Sequence, residues 1–308
     1  MSVATFDARV TGAFGRQVRV RAADGTEYPA RPLGRALGIV CGDEVRCRHD
    51  ERHGEIHVLE VLPRRTVLYR TNARGRAEAV LANLTRLLVV IAPVPEPDLF
   101  VADRYLAAAT SAAIEPALIV NKADLGRDTS LGEALEAYRQ AHYPCIEVSA
   151  VTGTGEAELL EACRGHTTAL VGQSGVGKSS LAARLAPKER IEIGALARAA
   201  EGRHTTTASQ LFTLPGGGEL IDAPGVRDFA PAIEHLEART LGFAELARLA
   251  GECRFLDCQH LREPDCAVHA AVEQGRMDPR RYESYRRLRR LQQTLGATAH
   301  ERTRRRDG

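Results

Sequence analysis

Gly172-Gln173-Ser174-Gly175-Val176-Gly177-Lys178-Ser179 fits the pattern G-x-x-x-x-G-K-[ST] at every fixed position. The apolar residues Ala169 to Val171 precede it and a helical run, Leu181 to Leu185, follows, which is the strand–loop–helix setting the pattern needs. Glycines let the backbone turn tightly, so that successive N–H groups point inward at phosphate oxygens, and the start of a helix favours an anion there. In such a loop Lys178 reaches the β- and γ-phosphates of a nucleotide and Ser179 ligates Mg2+. Residues Gly172 to Ser180 are therefore the expected phosphate cradle, Ser180 included.

Upstream, Asn121-Lys122-Ala123-Asp124 ends the apolar run Ala117 to Val120. A carboxylate at Asp124 can accept two hydrogen bonds from guanine, at N1–H and the exocyclic amine. Adenine offers neither donor there, so a site built this way penalises it through unpaired polar groups. Asn121 would bond N7, and the Lys122 stem would lie over the base. Alone, N-K-x-D is short, and Asp124 suits a helix cap equally well. Ser149-Ala150 follows the strand-like run Ile146 to Val148, where a backbone N–H can meet guanine O6 beside a small residue. Downstream, Asp222-Ala223-Pro224-Gly225 follows the run Glu219 to Ile221. Asp222 is placed to hold Mg2+ through water and the Gly225 N–H to sense a γ-phosphate. Arg203-His204-Thr205-Thr206-Thr207 lies between the cradle and Asp222, where a switch loop belongs. Thr206 is the expected third member of the Mg2+ shell, although consecutive β-branched polar residues also suit an edge strand.

Each element fits a GTPase, but base-recognition motifs normally follow the phosphate loop, and here they precede it. The strands can still assemble into one sheet, because only the connections are relocated. At this point the sequence resembles the RsgA (YjeQ) family of circularly permuted GTPases, which act in maturation of the small ribosomal subunit. The resemblance covers nearly the whole chain: a leading barrel, the permuted domain with Asp103-Arg104-Tyr105-Leu106, the Gly-Arg-His-Thr-Thr-Thr switch and a trailing cysteine cluster. Val226 stands where many GTPases carry the glutamine that orients water. His204 is the candidate replacement, and the resemblance implies a switch histidine in that role; a helix cap or an RNA contact is its other reading.

The cluster reads Cys253-x4-Cys258-x-His260-x5-Cys266. Three thiolates and one imidazole suit tetrahedral Zn2+. The spacing differs from the common C-x-x-C finger, and buried free thiols in a helical hairpin would leave the same trace. The resemblance implies one structural zinc ion on these four residues, with Glu263 to Val268 also matching and His269 outside the ligand set. Cys41, Cys47, Cys145 and Cys163 are scattered and read as small core residues.

The flanks complete the organisation. With 308 residues the chain has room for two or three domains. Residues 1–66 show short runs at Ala8–Val10, Gln17–Arg21, Asp43–Arg48 and Glu55–Val61 separated by glycine turns, which predicts five short strands in a small barrel of the OB type; an SH3-like barrel gives a similar pattern. Phe6, Phe14 and Tyr28 are its candidate stacking aromatics. Residues 66–82 read as an arginine-bearing linker. The apolar runs from Leu87 onward alternate with helical spacing at Leu99–Ala113 and Leu131–Ala141, so the expectation is a doubly wound α/β GTPase domain over 67–235. Residues 236–308 read as a helical zinc-binding domain. The predicted class is thus multidomain α/β: an OB-fold barrel, a circularly permuted P-loop GTPase domain and a helical zinc domain.

Net charge is only +2, too small for a chain that wraps nucleic acid throughout, yet ten arginines crowd residues 280–306. They read either as a solvated helix face with a frayed tail or as a contact to RNA phosphates. No apolar run is long enough to span a bilayer, and the N-terminus MSVATFDARV lacks the features of a signal peptide, so the expected setting is cytoplasmic, without disulfides. The expected activity is slow hydrolysis of GTP to GDP and phosphate, dependent on Mg2+ and stimulated by the small ribosomal subunit through rRNA contacts, in a monomer. Two rivals remain: a nucleotide-gated RNA-binding scaffold without hydrolysis, and a P-loop kinase.

Overall fold

The structure, a computed structural model, describes residues 5–14, 17–33, 37–50, 53–72, 75–186, 209–223 and 230–304, with side chains as far as 295. Five strands open the chain: β1 (Thr5–Phe14), β2 (Gln17–Ala22), β3 (Glu27–Pro32), β4 (Glu44–Asp50) and β5 (Glu55–Val61). Alternation is clean. Val18 and Val20, Val45 and Cys47, and Ile56 and Val58 point inward, while the residues between them are half-buried or exposed. The strands close in the order β1-β2-β3-β5-β4-β1, with β3 and β5 parallel at Ala30↔Ile56. That order is the OB arrangement, and it removes the SH3-like alternative. Beyond a bulge between Val10 and Gly12, β1 stays paired with β2 but on its other edge exchanges β4 for a strand of the next unit, at Gly12↔Gln210.

Residues 66–82, expected to be a linker, instead contain a β-hairpin: β6 (Val67–Thr71) and β7 (Ala77–Ala82). The arginines that suggested a solvated connection are partly spent inside it, Arg70 bonding Glu78 across the pair.

The central sheet is built from β8 (Arg86–Ile91), β9 (Glu115–Val120), β10 (Cys145–Glu147), β11 (Thr167–Val171), β12 (Ser209–Thr213) and β13 (Glu219–Asp222). Its order is β10-β9-β8-β11-β13-β12, parallel except for β12. Strand β11, which leads into the phosphate loop, thus inserts between β8 and β13 although its neighbour β8 comes much earlier in the chain. Strand β12 was not foreseen: Ser209-Gln210-Leu211-Phe212-Thr213 is short and mixed, and its strand character comes from two partners, β13 and β1. Helices cover both faces. Leu87, Val89 and Ile91 pack under α1 (Leu99–Ser111) and α2 (Thr129–Gln140), whereas Leu88, Val90 and Ala92 pack under α3 (Glu156–Cys163) and α4 (Lys178–Leu185). Asp98 and Asp128 cap α1 and α2, each accepting a backbone N–H three residues on.

The remaining chain forms α5 (Ala244–Leu249), α6 (Ala267–Glu273) and a long α7 (Pro279–Arg304). Here the reading of the arginine-rich run needs correction. Arg281 is 1% exposed, and its guanidinium bonds Asp103 at 2.6 Å and Glu245 at 2.7 and 2.9 Å. Arg280 adds a bond to Asp103, and the buried Arg289 binds the carbonyls of Ala238 and Arg239. These three arginines fasten α7 to its neighbours, whereas Arg287 and Arg290 are exposed. Pairing with buried carboxylates, invisible in a one-dimensional charge count, is what turns them inward.

Candidate nucleotide site and metal centre

The loop between β11 and α4 is held open by its own glycines. Gly172 has φ +140°, and a Cβ there would lie 2.1 Å from the Val90 carbonyl oxygen; at Gly177, with φ +92°, a Cβ would meet the Asn121 amide nitrogen at 2.3 Å. Only glycine permits both the left-handed backbone and the close approach. Lys178 is buried, and its Nζ donates to the carbonyls of Gly172 and Gln173, each at 2.6 Å, so the ammonium curls back over the loop. Gln173 is tethered from outside, its Oε1 accepting the Asp98 N–H at 3.0 Å. That link was not legible beforehand, because it joins residues 75 positions apart in the chain.

Asn121, Lys122 and Asp124 come to the same place. The buried Asn121 side chain donates to the Val176 carbonyl at 2.8 Å and accepts the Ala150 N–H at 3.2 Å. One amide therefore ties β9, the phosphate loop and the loop after β10 together. Lys122, in the left-handed region at φ 62°, extends its Nζ to the carbonyls of Val94 and Gly175 at 2.7 and 2.8 Å, so its side chain reaches the phosphate loop. Ser149 Oγ accepts N–H bonds from Val151 and Thr152, so its hydroxyl hydrogen is directed to Asp124 Oδ1 at 2.5 Å. The Asp124 carboxylate is thereby oriented with its other acceptor positions open to a base edge.

Asp222 ends β13, the parallel neighbour of β11, and Ser179 lies in the first turn of α4. Both occupy the carboxyl-end side of the sheet, where ligands of open α/β sheets bind. An oxygen pair of this kind is chemically suited to Mg2+. His204, Thr206 and Gly225, with Val226, lie outside the described residues.

Some distance along the chain, Cys253, Cys258, His260 and Cys266 converge, their ligand atoms all within 4.8 Å of one another. His260 Nδ1 is 3.5 Å from Cys253 Sγ and 3.6 Å from Cys266 Sγ. A tetrahedron with Zn–S and Zn–N bonds of ordinary length has edges of roughly 3.5–3.8 Å, so the donor set fits that ion. Burial pushes the Cys258 thiol up to about 12 and lowers His260 to about 4, so the imidazole is neutral, as a ligand must be. Thiols buried this deeply need a cation to ionise. Glu263 lies beside them, accepting N–H bonds from Gln259, Leu261 and Arg262 that brace the loop.

Comparison with known proteins extends this picture. The RsgA GTPase family profile matches residues 61–231. A protein of Azotobacter vinelandii named small ribosomal subunit biogenesis GTPase RsgA is 44% identical over 283 residues, covering 89% of this chain and 82% of that one. Its namesake from Pseudomonas aeruginosa strain LESB58 is 44% identical over 285 residues, covering 91% and 84%. Among solved structures, YjeQ from Thermotoga maritima matches with a TM-score of 0.70 at 27% identity, over 92% of this chain and 97% of that one. YloQ, described as a circularly permuted GTPase, matches in fold with a TM-score of 0.68 at 23% identity, over 94% and 96%.

Proposed function

The chain belongs to the RsgA GTPase family, and from that premise we propose that it is a GTP hydrolase acting in maturation of the small ribosomal subunit, with its turnover stimulated by that subunit. The observation that carries the reading is the Asn121 amide, which joins the base-recognition loop to the phosphate loop although the two are encoded in reversed order. Guanine is read by Asp124, with Asn121 at N7, the Lys122 stem over the base and the Ser149-Ala150 backbone at O6. The triphosphate lies in Gly172 to Ser180, with Lys178 exchanging its two carbonyl partners for phosphate oxygens. Ser179, Asp222 and Thr206 would hold Mg2+, which would supply charge neutralisation to the triphosphate. Gly225 senses the γ-phosphate and His204 orients water, the position after D-x-x-G being valine.

The three units take separate roles: the barrel over 1–66, the GTPase domain over 67–235 and the zinc domain over 236–308. Phe6 and Tyr28, with ring centres 6.1 Å apart, line a cavity of about 850 Å3 on the barrel together with Arg46 and His49, a surface suited to RNA. One zinc ion on Cys253, Cys258, His260 and Cys266 fixes the fold of the third unit. The protein works as a monomer in the cytoplasm; no described helix is long and apolar enough to cross a membrane, which supports that setting.

The test is phosphate release from GTP with and without purified small subunits, using ATP as control. Stimulation confined to GTP is the expected result, and equal turnover of ATP, or no stimulation, would overturn the reading. In the same assay His204→Ala lowers turnover while GDP affinity stays nearly unchanged; parallel loss of both would remove the histidine from the chemistry.

A further inference from the structure

Between α1 and α7, two guanidiniums flank one aromatic ring. Arg104 lies 6.0 Å and Arg287 3.9 Å from the centre of the Phe100 ring. Elsewhere on the molecule Arg46, Arg65, Arg86, Arg127 and Arg184 each meet a carboxylate. Among the described residues, neither Arg104 nor Arg287 does. Arg104 is half-buried; its Nε has no partner, and its one hydrogen bond, to the Pro231 carbonyl, is long at 3.3 Å. Burial lowers its affinity for a proton, and Arg287 acts in the same direction. The nearby acid, Asp98, is engaged as the cap of α1. Arg104 lines a cavity of about 320 Å3 whose other walls are Asp98, Val101 and Tyr105 of α1 and its cap, Gly172 to Ser174 of the phosphate loop and Ala230-Pro231. A guanidinium partly stripped of water, in a cavity whose one carboxylate, Asp98, caps α1 and bonds no guanidinium among the described residues, is a site that an arriving anion stabilises.

We propose that Arg104 and Arg287 form a clamp for a backbone phosphate of RNA, on the rim between the GTPase and zinc domains. The inference rests on the reading of the small subunit as partner and names one of its contacts. A phosphodiester suits the pair, because its two free oxygens can be shared between one guanidinium lining the cavity and a second, exposed one that meets the same Phe100 ring. The position also links the contact to the nucleotide. Ala230 and Ala232, on either side of the carbonyl that Arg104 holds, are bonded to Thr71 and Tyr69 of β6. A phosphate drawing Arg104 away from Pro231 therefore bears on a cavity walled by the phosphate loop and on the contact with β6.

Arg287→Glu and Arg104→Gln, alone and together, test the clamp in the full-length protein, with binding to purified small subunits measured across a salt series and GTP turnover measured in parallel. Each single variant is expected to weaken binding several-fold and to reduce the salt slope, and the double variant to reduce it by about 1 in all, because the pair shares one phosphate and its loss retains one counterion. Turnover without subunits stays as in the wild type for Arg287→Glu, and its subunit-stimulated turnover falls. Because Arg287 is exposed, its variant folds even if the Arg104 variant does not. Wild-type affinity, salt slope and stimulation in both variants would overturn the clamp. Weaker binding with an unchanged salt slope would also overturn it, by assigning the pair to a protein carboxylate. Absence of stimulation in the wild type would instead strike the parent reading.

Discussion

Replacing Arg281 by methionine should unseat the C-terminal helix. The side chain has similar length, so the loss reports charge pairing and not a cavity. In the native protein one guanidinium bonds Asp103 at 2.6 Å and Glu245 at 2.7 and 2.9 Å, and its carbon lies 4.7 Å from the Phe243 ring centre. Asp103 keeps Arg280 at 2.9 Å and the Tyr138 hydroxyl at 2.7 Å, so it remains compensated. Glu245, 6% exposed, has no other hydrogen-bond partner for its carboxylate among the described residues. Removing one partner of a buried pair costs about 3–5 kcal/mol; with Asp103 still served, the lower end, about 3 kcal/mol, is expected. Coupling Arg281→Met with Glu245→Leu should recover at least half of that, because the stranded charge goes too.

Burial raises the Asp103 carboxyl, but Arg281 and Arg280 more than offset it, leaving its pKa below the usual range. A depressed carboxyl contributes stability above its unfolded value, about 3.9, and loses it as pH falls through the folded one. The gap between wild type and variant should therefore be full at neutral pH and narrow below about pH 4. Urea unfolding followed by tyrosine emission is the assay, since the chain has no tryptophan and Tyr138 and Tyr143 border the guanidinium. A loss under about 1 kcal/mol, or a gap unchanged in acid, would show that the buried charges are not the fastening.

Three further outcomes are expected. Asp124→Ala removes charged hydrogen bonds to the base and should weaken GDP binding by roughly 10- to 100-fold while reducing the preference over ADP, as read by equilibrium titration. Gly177→Ala places a methyl group against the Asn121 amide at a positive φ, and nucleotide affinity should collapse with little change in the urea midpoint of the barrel; retained affinity would mean that the loop relaxes cheaply. Cys258→Ser should lower bound zinc, measured by elemental analysis, from one equivalent to a small fraction and expose residues 253–266 to protease, whereas full retention of zinc would exclude Cys258 as a ligand.

The readable parts of this chain are those whose chemistry is local. A phosphate loop needs its glycines, lysine and serine in consecutive positions, so Gly172 to Ser179 carry their own context. The cysteine cluster is nearly as compact, and the apolar runs of β8 and β9 declare buried parallel strands because both faces are covered. Strand β12 was hidden because its strand character comes from β13 and from the distant β1, and the hairpin over Val67–Ala82 because its short strands show no clean alternation and carry arginines that suggested solvent. The arginines of α7 misled for a related reason: a count of charges does not tell a solvated guanidinium from one seated between Asp103 and Glu245.

Residue order alone thus determined the chemistry available to this protein, the groups that suit a guanine nucleotide and a zinc ion and the reversed succession in which the first set is encoded. Tertiary structure decided which of those groups meet. Strand β11 slides between β8 and β13, and that insertion brings Asn121 to Val176 across 55 residues of chain. It also decided the sense of each charge, because pairing depends on distance and dielectric in three dimensions, and neither is written along the chain.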